Sequence, residues 1–198
     1  MRMIRVAVAG TPATGKSVFA KKLAAVVPSS SIIEVNEVAR AFGLFTGTGR
    51  DGTKTVDIKA LGHAMAAELR KKSSERTLLV IVAGHLVPYI GMHFDVAVVT
   101  RCSLRVLLTR LKSRGYTSRK ISDNLLCEAV DCIGADMVGK APETYEIASN
   151  KDAKVLLDYI SSIAAGKRHA RPKLKEIDLM KEMYSMIKKG EFGFRTKS

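Results

Sequence analysis

Eight residues near the start of the chain have the types and the spacing of a site that binds phosphate groups. Gly10, Gly15, Lys16 and Ser17 occupy every fixed position of the pattern G-x-x-x-x-G-K-[ST]. In such a loop the backbone N–H groups point at one spot, the lysine reaches the β- and γ-phosphates of a nucleotide, and the serine hydroxyl holds Mg²⁺. We therefore predict a nucleotide phosphate site, with Ser17 on the metal, formed by Gly10, Pro12, Ala13, Thr14, Gly15, Lys16, Ser17 and Val18.

The segments on either side of this loop are those that a phosphate site needs. Residues 3–9 form an apolar run of strand length, and residues 18–24 have the composition of a helix. A loop that joins a strand to a helix places the phosphates at the positive end of the helix dipole. An accidental match in a turn is the alternative, and the flanking strand and helix argue against it.

Short apolar runs alternate with helical patterns along the chain. This order is typical of a parallel sheet with covering helices, and right-handed crossovers place those helices on both faces. We therefore predict the α/β class and a three-layer P-loop NTPase fold. Its five parallel strands are expected at residues 3–9, 31–35, 78–82, 94–99 and 144–147.

The connecting segments are predicted from cap and turn residues. Asn36 is of a type that caps helices, which predicts a helix from there through residue 42. Residues 43–53 are rich in glycine and threonine and predict a mobile loop. Ser103 is expected to cap a helix that Gly115 ends, and a second long helix is expected to carry Ile121, Leu125, Val130, Ile133 and Met137 inward.

The composition indicates one folded domain, with or without an appendage. The chain has 198 residues, of which 46% are hydrophobic, enough for a full core. No apolar run is long enough to span a bilayer, and a strand begins almost at the first residue. We therefore expect no signal peptide, no membrane contact and a cytoplasmic location. The three cysteines are predicted to be reduced thiols.

The formal net charge of +14 is large for a chain of this size. Residues 101–120 contain five arginines, two lysines and no acid, and the chain from residue 167 onward is also basic. Basic residues serve the phosphates of ATP as well as those of RNA, so a solvated surface and a nucleic-acid partner both remain open.

The C-terminal part of the chain differs from the rest. Residues 166–172 form a charged link, and Ile177, Met180, Tyr184 and Ile187 then keep helical spacing, in a helix that packs on the body or on a partner. Residues 190–198 are expected to be frayed. We therefore divide the chain into a P-loop domain at residues 1–166 and a basic extension at residues 167–198.

Several short stretches resemble the family of adenylate kinase isoenzyme six, which includes archaeal adenylate kinases. That family shows the stretch R-G-Y-S-x-x-K-I-x-E-N-x-x-A-E. Here Thr117 stands for the serine and Asp123 stands for the first glutamate. The matching residues are Val99-Thr100-Arg101, Arg114-Gly115-Tyr116, Lys120-Ile121 and Asp123-Asn124, and further likeness is found in Asn36-Glu37, Val56-Asp57, Val82-Ala83-Gly84-His85 and Tyr145-Glu146-Ile147.

The resemblance implies a small kinase that transfers the γ-phosphoryl group of ATP to AMP with Mg²⁺. Members of the family also hydrolyse ATP and assist maturation of the small ribosomal subunit, so a ribosomal protein or rRNA is the implied partner. By resemblance, residues 30–53 grip AMP and residues 113–123 form a lid over ATP. The implied acceptor-binding residues are Asn36, Glu37, Arg40 and Asp57.

Three residues are predicted to act in catalysis. Lys16 holds the donor phosphates, and Arg114 swings over the phosphoryl group in transfer, with Arg101 and Arg119 as second candidates against a solvated helix face. His85 follows a central strand and either orients a water molecule or is structural.

One position departs from the family, because Ala83 stands where the family often has an acid that holds Mg²⁺ or its water shell. Glu34, Glu37 and Asp57 are candidates for the missing carboxylate, and the sequence does not choose among them.

Other functions stay open beside adenylate kinase. An ATP-dependent ribosome assembly factor with weak or no kinase activity is favoured by Ala83 and by the basic extension. A kinase for another nucleoside monophosphate is a third possibility. A GTPase is disfavoured because the chain has no N-K-x-D guanine motif.

Overall fold

A parallel sheet of five strands forms the centre of the computed structural model, which describes residues 2–49, 54–75, 77–167 and 169–192. The strands of this sheet are β1 (Ile4–Ala9), β2 (Ser30–Glu34), β5 (Leu79–Ala83), β6 (Val96–Thr100) and β7 (Thr144–Ile147). A separate two-stranded sheet is formed by β3 (Phe45–Thr48) and β4 (Lys54–Val56). The helices are α1 (Lys16–Val26), α2 (Val35–Ala41), α3 (Ile58–Ser74), α4 (Leu104–Ser113), α5 (Ser118–Ala129), α6 (Cys132–Met137), α7 (Asn150–Ala164) and α8 (Met180–Lys188).

The strand order of this sheet is β2-β5-β1-β6-β7, and all neighbours are parallel. β5 and β6 are buried at every residue, as the continuous apolar runs predict for interior strands. One face packs on Leu61 and Met65 of α3 and on α6, and the opposite face packs on Leu23 of α1 and Leu156 of α7. The predicted three-layer α/β fold is confirmed.

Two predictions about the segment after β2 are wrong. Asn36 does not cap α2, because the helix begins one residue earlier and Asn36 lies inside its first turn. Residues 45–48 are not a mobile loop but β3, which pairs antiparallel with β4 and aligns Phe45 with Val56. The predicted loop residues 50–53 lie outside the described residues.

The predicted long helix after Gly115 is divided into α5 and α6. Asp131 separates them because its backbone is left-handed, with φ of 53°. Its carboxylate also caps α6 by accepting a hydrogen bond from the Gly134 N–H at 3.1 Å. The apolar spacing of the sequence runs through this break, so spacing alone indicated one helix.

The C-terminal segment packs on the body of the protein. Leu179, Met183, Met186 and Phe192 are buried in a cluster with apolar residues of α4 and α5. The fraying expected from residue 190 onward is wrong for residues 190–192, because Phe192 is only 1% exposed. Residues 193–198 lie outside the described part, and the division into residues 1–166 and 167–198 stays a prediction.

The described residues add two findings on chemistry and environment. All three cysteines, Cys102, Cys127 and Cys132, are free thiols. Of the described helices, none combines the length and the hydropathy that a membrane span needs.

Candidate active site

A cavity of about 820 Å³ lies at the edge of the sheet where the parallel strands end. Because parallel strands share a direction, their carboxyl ends meet at one edge, and binding sites in such sheets form there. The loop after β1 makes one wall of the cavity. Other wall residues come from the ends of β2, β5, β6 and β7 and from the turn between α4 and α5, and they include Glu34, His85, Thr100, Arg114, Tyr116 and Ile147.

The loop between β1 and α1 has the conformation that its glycines allow. Gly10 has φ of 141°, and a Cβ there would lie 2.5 Å from the Thr100 carbonyl oxygen. Ala13 is also left-handed, with φ of 70°. The Thr14 and Thr100 hydroxyl oxygens lie 2.7 Å apart in the interior and join the loop to the end of β6. The loop is therefore held in shape by the neighbouring strand.

Lys16 lies across its own loop. Its Nζ donates hydrogen bonds to the carbonyl oxygens of Gly10 at 2.9 Å and Thr11 at 2.8 Å. Burial lowers the pKa of Lys16 to about 8, and the nearby positive charge of Arg114 adds to this effect, against the opposing carboxylates of Glu128 and Glu34. An anionic ligand in the cavity would reverse the lowering, because it stabilises the charged ammonium group.

The start of α1 is suited to an anion. Gly15 is the N-cap residue with φ of 114°, and as a glycine it has no side chain with which to cap the helix. The first N–H groups of a helix have no acceptor within the helix, and here they belong to Lys16, Ser17 and Val18, which line the cavity. The exposed Ser17 hydroxyl stands beside them.

The predicted phosphate-binding residues come together in this wall, with one difference in role. Gly10 does not line the cavity but lies beneath the loop, where its carbonyl accepts from Lys16. The other predicted residues of the loop line the cavity, and they are Pro12, Ala13, Thr14, Gly15, Lys16, Ser17 and Val18.

Two arginines at the C-terminal end of α4, one inside the helix and one just after it, reach the site. Arg114 directly follows the last residue of α4, lines the cavity and is exposed. Gly115 follows it with φ of 70° and ends the helix, as predicted. Arg110, one turn earlier, donates from Nη1 to the Ala13 carbonyl oxygen at 3.0 Å. Sequence reasoning assigned no role to Arg110, whose contact depends on how α4 packs against the loop.

Arg101, the second arginine candidate, also lines the cavity, but acidic side chains hold its guanidinium group. Its guanidinium group is buried and forms ion pairs with Glu128 at 3.1 Å, Asp131 at 2.6 Å and Glu146 at 2.9 Å. It also donates to the Glu128 carbonyl oxygen at 2.7 Å. Arg101 therefore ties the end of β6 to α5 and β7. The third candidate, Arg119, is exposed and lies outside the cavity lining.

His85 lines the cavity beyond the end of β5. Burial lowers the pKa of His85 to about 4, and the positive charges of Lys16 and Lys120 add to the lowering. The imidazole is therefore neutral near pH 7. A neutral imidazole can donate or accept a hydrogen bond, which suits it to orient a ligand or a water molecule.

The three candidate carboxylates are separated by the fold. Glu34 ends β2, lines the cavity and is aligned with Ala83 of β5. Glu37 is exposed on α2 and lies outside the lining. Asp57 caps α3, where its carboxylate accepts a hydrogen bond from the Ala60 N–H at 2.9 Å. Glu34 is thus the carboxylate that the structure brings to the phosphate loop.

The residues around the loop fit a nucleotide triphosphate with Mg²⁺. The described residues contain no group of three or more histidine, cysteine or acidic side chains that could hold a metal ion alone. Ser17, at the start of α1, places a hydroxyl at the cavity, and Glu34 is the one carboxylate among the described residues that line it. Oxygen donors in small number are what Mg²⁺ uses when phosphates and water complete its coordination.

The predicted acceptor residues are only partly brought together. Asn36 lines the cavity, whereas Glu37 and Arg40 are exposed on α2 outside the lining. Asp57 is at the start of α3. The wall opposite α2 is formed by residues that sequence reasoning missed, Ala148, Ser149, Asn150 and Ala153. A signal was present in the sequence, because Ser149 and Asp152 form a capping box at the start of α7.

A parallel sheet with a glycine-rich phosphate loop between its first strand and first helix defines a P-loop nucleotide-binding protein. Solved structures support this fold: a sugar kinase from Janibacter sp. HTCC2649 has a TM-score of 0.54 at 12% identity and covers 85% of this chain and 100% of its own. The tunicamycin resistance protein of Deinococcus radiodurans has a TM-score of 0.53 at 19% identity and covers 86% and 100%.

Sequence comparison identifies the family. A family model described as "AAA domain" matches residues 6–131. A protein named "Putative adenylate kinase" from Archaeoglobus fulgidus is 31% identical over 92% of this chain and 95% of its own, and one of that name from Pyrococcus abyssi is 32% identical over 78% and 81%. The chain belongs to the family of these archaeal proteins, which supports a nucleotide kinase.

Proposed function

We propose that this protein is an adenylate kinase, which transfers the γ-phosphoryl group of ATP to AMP with Mg²⁺. The observation that carries the proposal is the joint position of the phosphate loop, Glu34, Arg114 and His85 around one cavity. The names of the archaeal relatives give adenylate as the substrate class of those proteins. Residues 30–53 are the proposed acceptor segment, and residues 113–123 are the proposed lid.

Each side chain then has a task that its position supports. Lys16 leaves the carbonyl oxygens of its own loop and binds the β- and γ-phosphates, while the first N–H groups of α1 bind oxygens nearby. Arg114 stabilises charge on the phosphoryl group in transfer. Ser17 and Glu34 hold Mg²⁺ or its water, and the metal would neutralise phosphate charge.

The acceptor needs little chemical activation, because an AMP phosphate oxygen is already anionic. Asn36 faces the cavity next to Glu34 and is the proposed contact to the acceptor, with Glu37, Arg40 and Asp57 at the periphery. Water as acceptor needs a general base, and the low pKa of His85 makes it a weak one. We therefore propose slow ATP hydrolysis beside faster transfer to AMP.

A coupled assay with AMP, CMP, UMP and dTMP tests the acceptor. Transfer to AMP is expected to be fastest, and the absence of transfer to any of the four would refute the kinase. Lys16→Ala is expected to abolish transfer without loss of fold. Lys21→Ala is the matched control, because Lys21 is exposed on the same helix and outside the cavity lining.

A second candidate function is an ATP-dependent factor for assembly of the small ribosomal subunit, with a ribosomal protein or rRNA as partner and a cytoplasmic location. The net charge of +14 and the exposed lysines 173 and 175 on the extension favour it. The double variant Lys173→Ala/Lys175→Ala is expected to weaken binding to rRNA and to reduce its salt dependence. Unchanged binding would place the contact elsewhere.

A further inference from the structure

The carboxylate of Glu182 on α8 holds the N-terminus of α4, a helix that lies 78 residues earlier in the chain. Its oxygens accept hydrogen bonds from the Leu104 N–H at 3.0 Å, the Arg105 N–H at 3.2 Å and the Ser103 hydroxyl at 2.6 Å. Ser103 was predicted to cap α4, but its side chain caps no N–H group of that helix. The cap therefore comes from the C-terminal extension.

The charge state of Glu182 suits this role. Burial opposes the charged form, but the hydrogen bonds from Ser103 and the two backbone N–H groups lower the pKa of Glu182 below its ordinary value. The carboxylate is therefore ionised at neutral pH. A negative charge at the N-terminus of a helix also interacts favourably with the helix dipole.

Apolar packing joins the same two segments and extends to the phosphate loop. Met186 and Phe192 are buried in one cluster with Leu107 and Leu111 of α4, and this cluster includes Ala13 of the phosphate loop. An ion pair between Arg105 and Glu191 at 3.1 Å and a hydrogen bond from the Ser122 hydroxyl to the Phe192 carbonyl at 3.3 Å lie beside it.

The far end of α4 meets the nucleotide site. Arg110 donates to the Ala13 carbonyl oxygen, and Arg114 lines the cavity. α4 has ten residues and is about 15 Å long. It therefore connects α8 to the phosphate loop through a single helix. A shift of its N-terminus moves both arginines relative to the loop.

We propose that α8 is a positioning element of the nucleotide site, in which Glu182 sets α4, and with it Arg110 and Arg114, against the phosphate loop. Glu182 is thus a positioning residue and touches no substrate. Only the nucleotide-binding readout of this inference rests on the proposed function.

The test compares Glu182→Gln with Glu176→Gln in the full chain. Both variants remove one negative charge from the extension, but Glu176 is exposed, and its side chain forms none of the hydrogen bonds or ion pairs found among the described residues. Calorimetric titration with ATP and Mg²⁺ is expected to show binding about three- to tenfold weaker for Glu182→Gln and unchanged for Glu176→Gln. Equal binding in the two variants would overturn the proposal.

A second variant separates positioning from capping. Ser103→Asp in the Glu182→Gln background supplies a carboxylate at the N-cap of α4 from within the same segment. We expect it to restore thermal stability while ATP binding stays weak, because the local cap does not connect α4 to α8. Recovery of both thermal stability and ATP binding would show that Glu182 acts only as a helix cap, and it would contradict the proposed positioning role.

Hydrogen exchange without nucleotide makes the inference independent of the proposed function. In Glu182→Gln, the backbone N–H groups of residues 13–18 are expected to exchange faster, together with those of residues 104 and 105. Faster exchange confined to residues 104 and 105 and to α8 would count against the proposal. If the unaltered protein binds no ATP, the proposed function fails, and the exchange data still decide the inference.

Discussion

Glu34 and Ala83 are aligned residues at the ends of the neighbouring parallel strands β2 and β5. The family resemblance leads one to expect an acid at residue 83, where this chain has a methyl group. The structure brings a carboxylate to the same edge from the adjacent strand, facing the cavity that Lys16 also lines. The carboxylate lacking on one strand is thus available on the next.

Glu34→Gln is expected to lower kcat about 10- to 100-fold and to raise the Mg²⁺ concentration needed for half-maximal rate, because it removes the carboxylate that we propose holds the metal or its water. Initial rates measured across a Mg²⁺ series check this. Glu37→Gln serves for comparison, since that carboxylate is exposed outside the cavity lining, and its Mg²⁺ requirement is expected to match the unaltered protein. The reverse result would assign the metal to Glu37.

Substitution of Arg114 is expected to reduce activity, whereas substitution of Arg101 is expected to reduce stability. Arg114→Ala is expected to lower kcat by about a hundredfold or more and to leave the free energy of unfolding unchanged, because Arg114 is exposed beside the cavity. Arg101→Met is expected to lower the free energy of unfolding by about 3–5 kcal/mol, because it leaves the buried Glu128 carboxylate unpaired.

Denaturant titration and steady-state kinetics on both arginine variants supply these measurements. A stable but inactive Arg101→Met protein would show that the buried arginine serves catalysis directly.

His85 is expected to make the protein less stable as the pH falls. Its pKa is about 4 in the folded protein and near 6.5 when unfolded, so the unfolded state binds more protons between these values. The contribution of His85 to stability is complete above pH 6.5 and is lost as the pH falls toward 4. His85→Gln is expected to flatten this part of the curve, as urea titrations from pH 4 to 7 can measure. If the free energy of unfolding depended on pH in the same way for both proteins, His85 would not be a buried, neutral imidazole.

Lys16 is expected to set the alkaline limit of ATP use. Because its pKa is lowered to about 8 by burial, kcat/KM for ATP should fall as the pH rises through 8 and the free protein loses the ammonium charge. The raised pKa of Cys102, about 11, keeps that thiol from titrating in this range.

Lys16→Arg is the informative comparison, because the guanidinium group stays charged throughout this range. Its kcat/KM is expected to be lower overall and to show no decline near pH 8. A decline retained in that variant would assign the ionisation to another group.

Local patterns were sufficient for the phosphate loop and for the five strands. Gly10, Gly15 and Lys16 impose a loop whose shape depends on backbone conformations close in sequence, and β5 and β6 are apolar runs that only an interior strand accommodates. The ends of the helices were harder to predict from the sequence. The apolar spacing continues across Asp131, although the backbone of Asp131 is left-handed and separates α5 from α6.

The sequence by itself determined the phosphate loop, the strands of the parallel sheet and the family resemblance. Each of these is signalled by residues that are close together in the chain. Only the tertiary structure decided that Glu34 faces the loop, that Arg101 is held by three carboxylates, and that Glu182 caps α4. These roles depend on contacts between segments that are far apart in sequence. The spacing of residues along the chain does not indicate which of those segments come into contact.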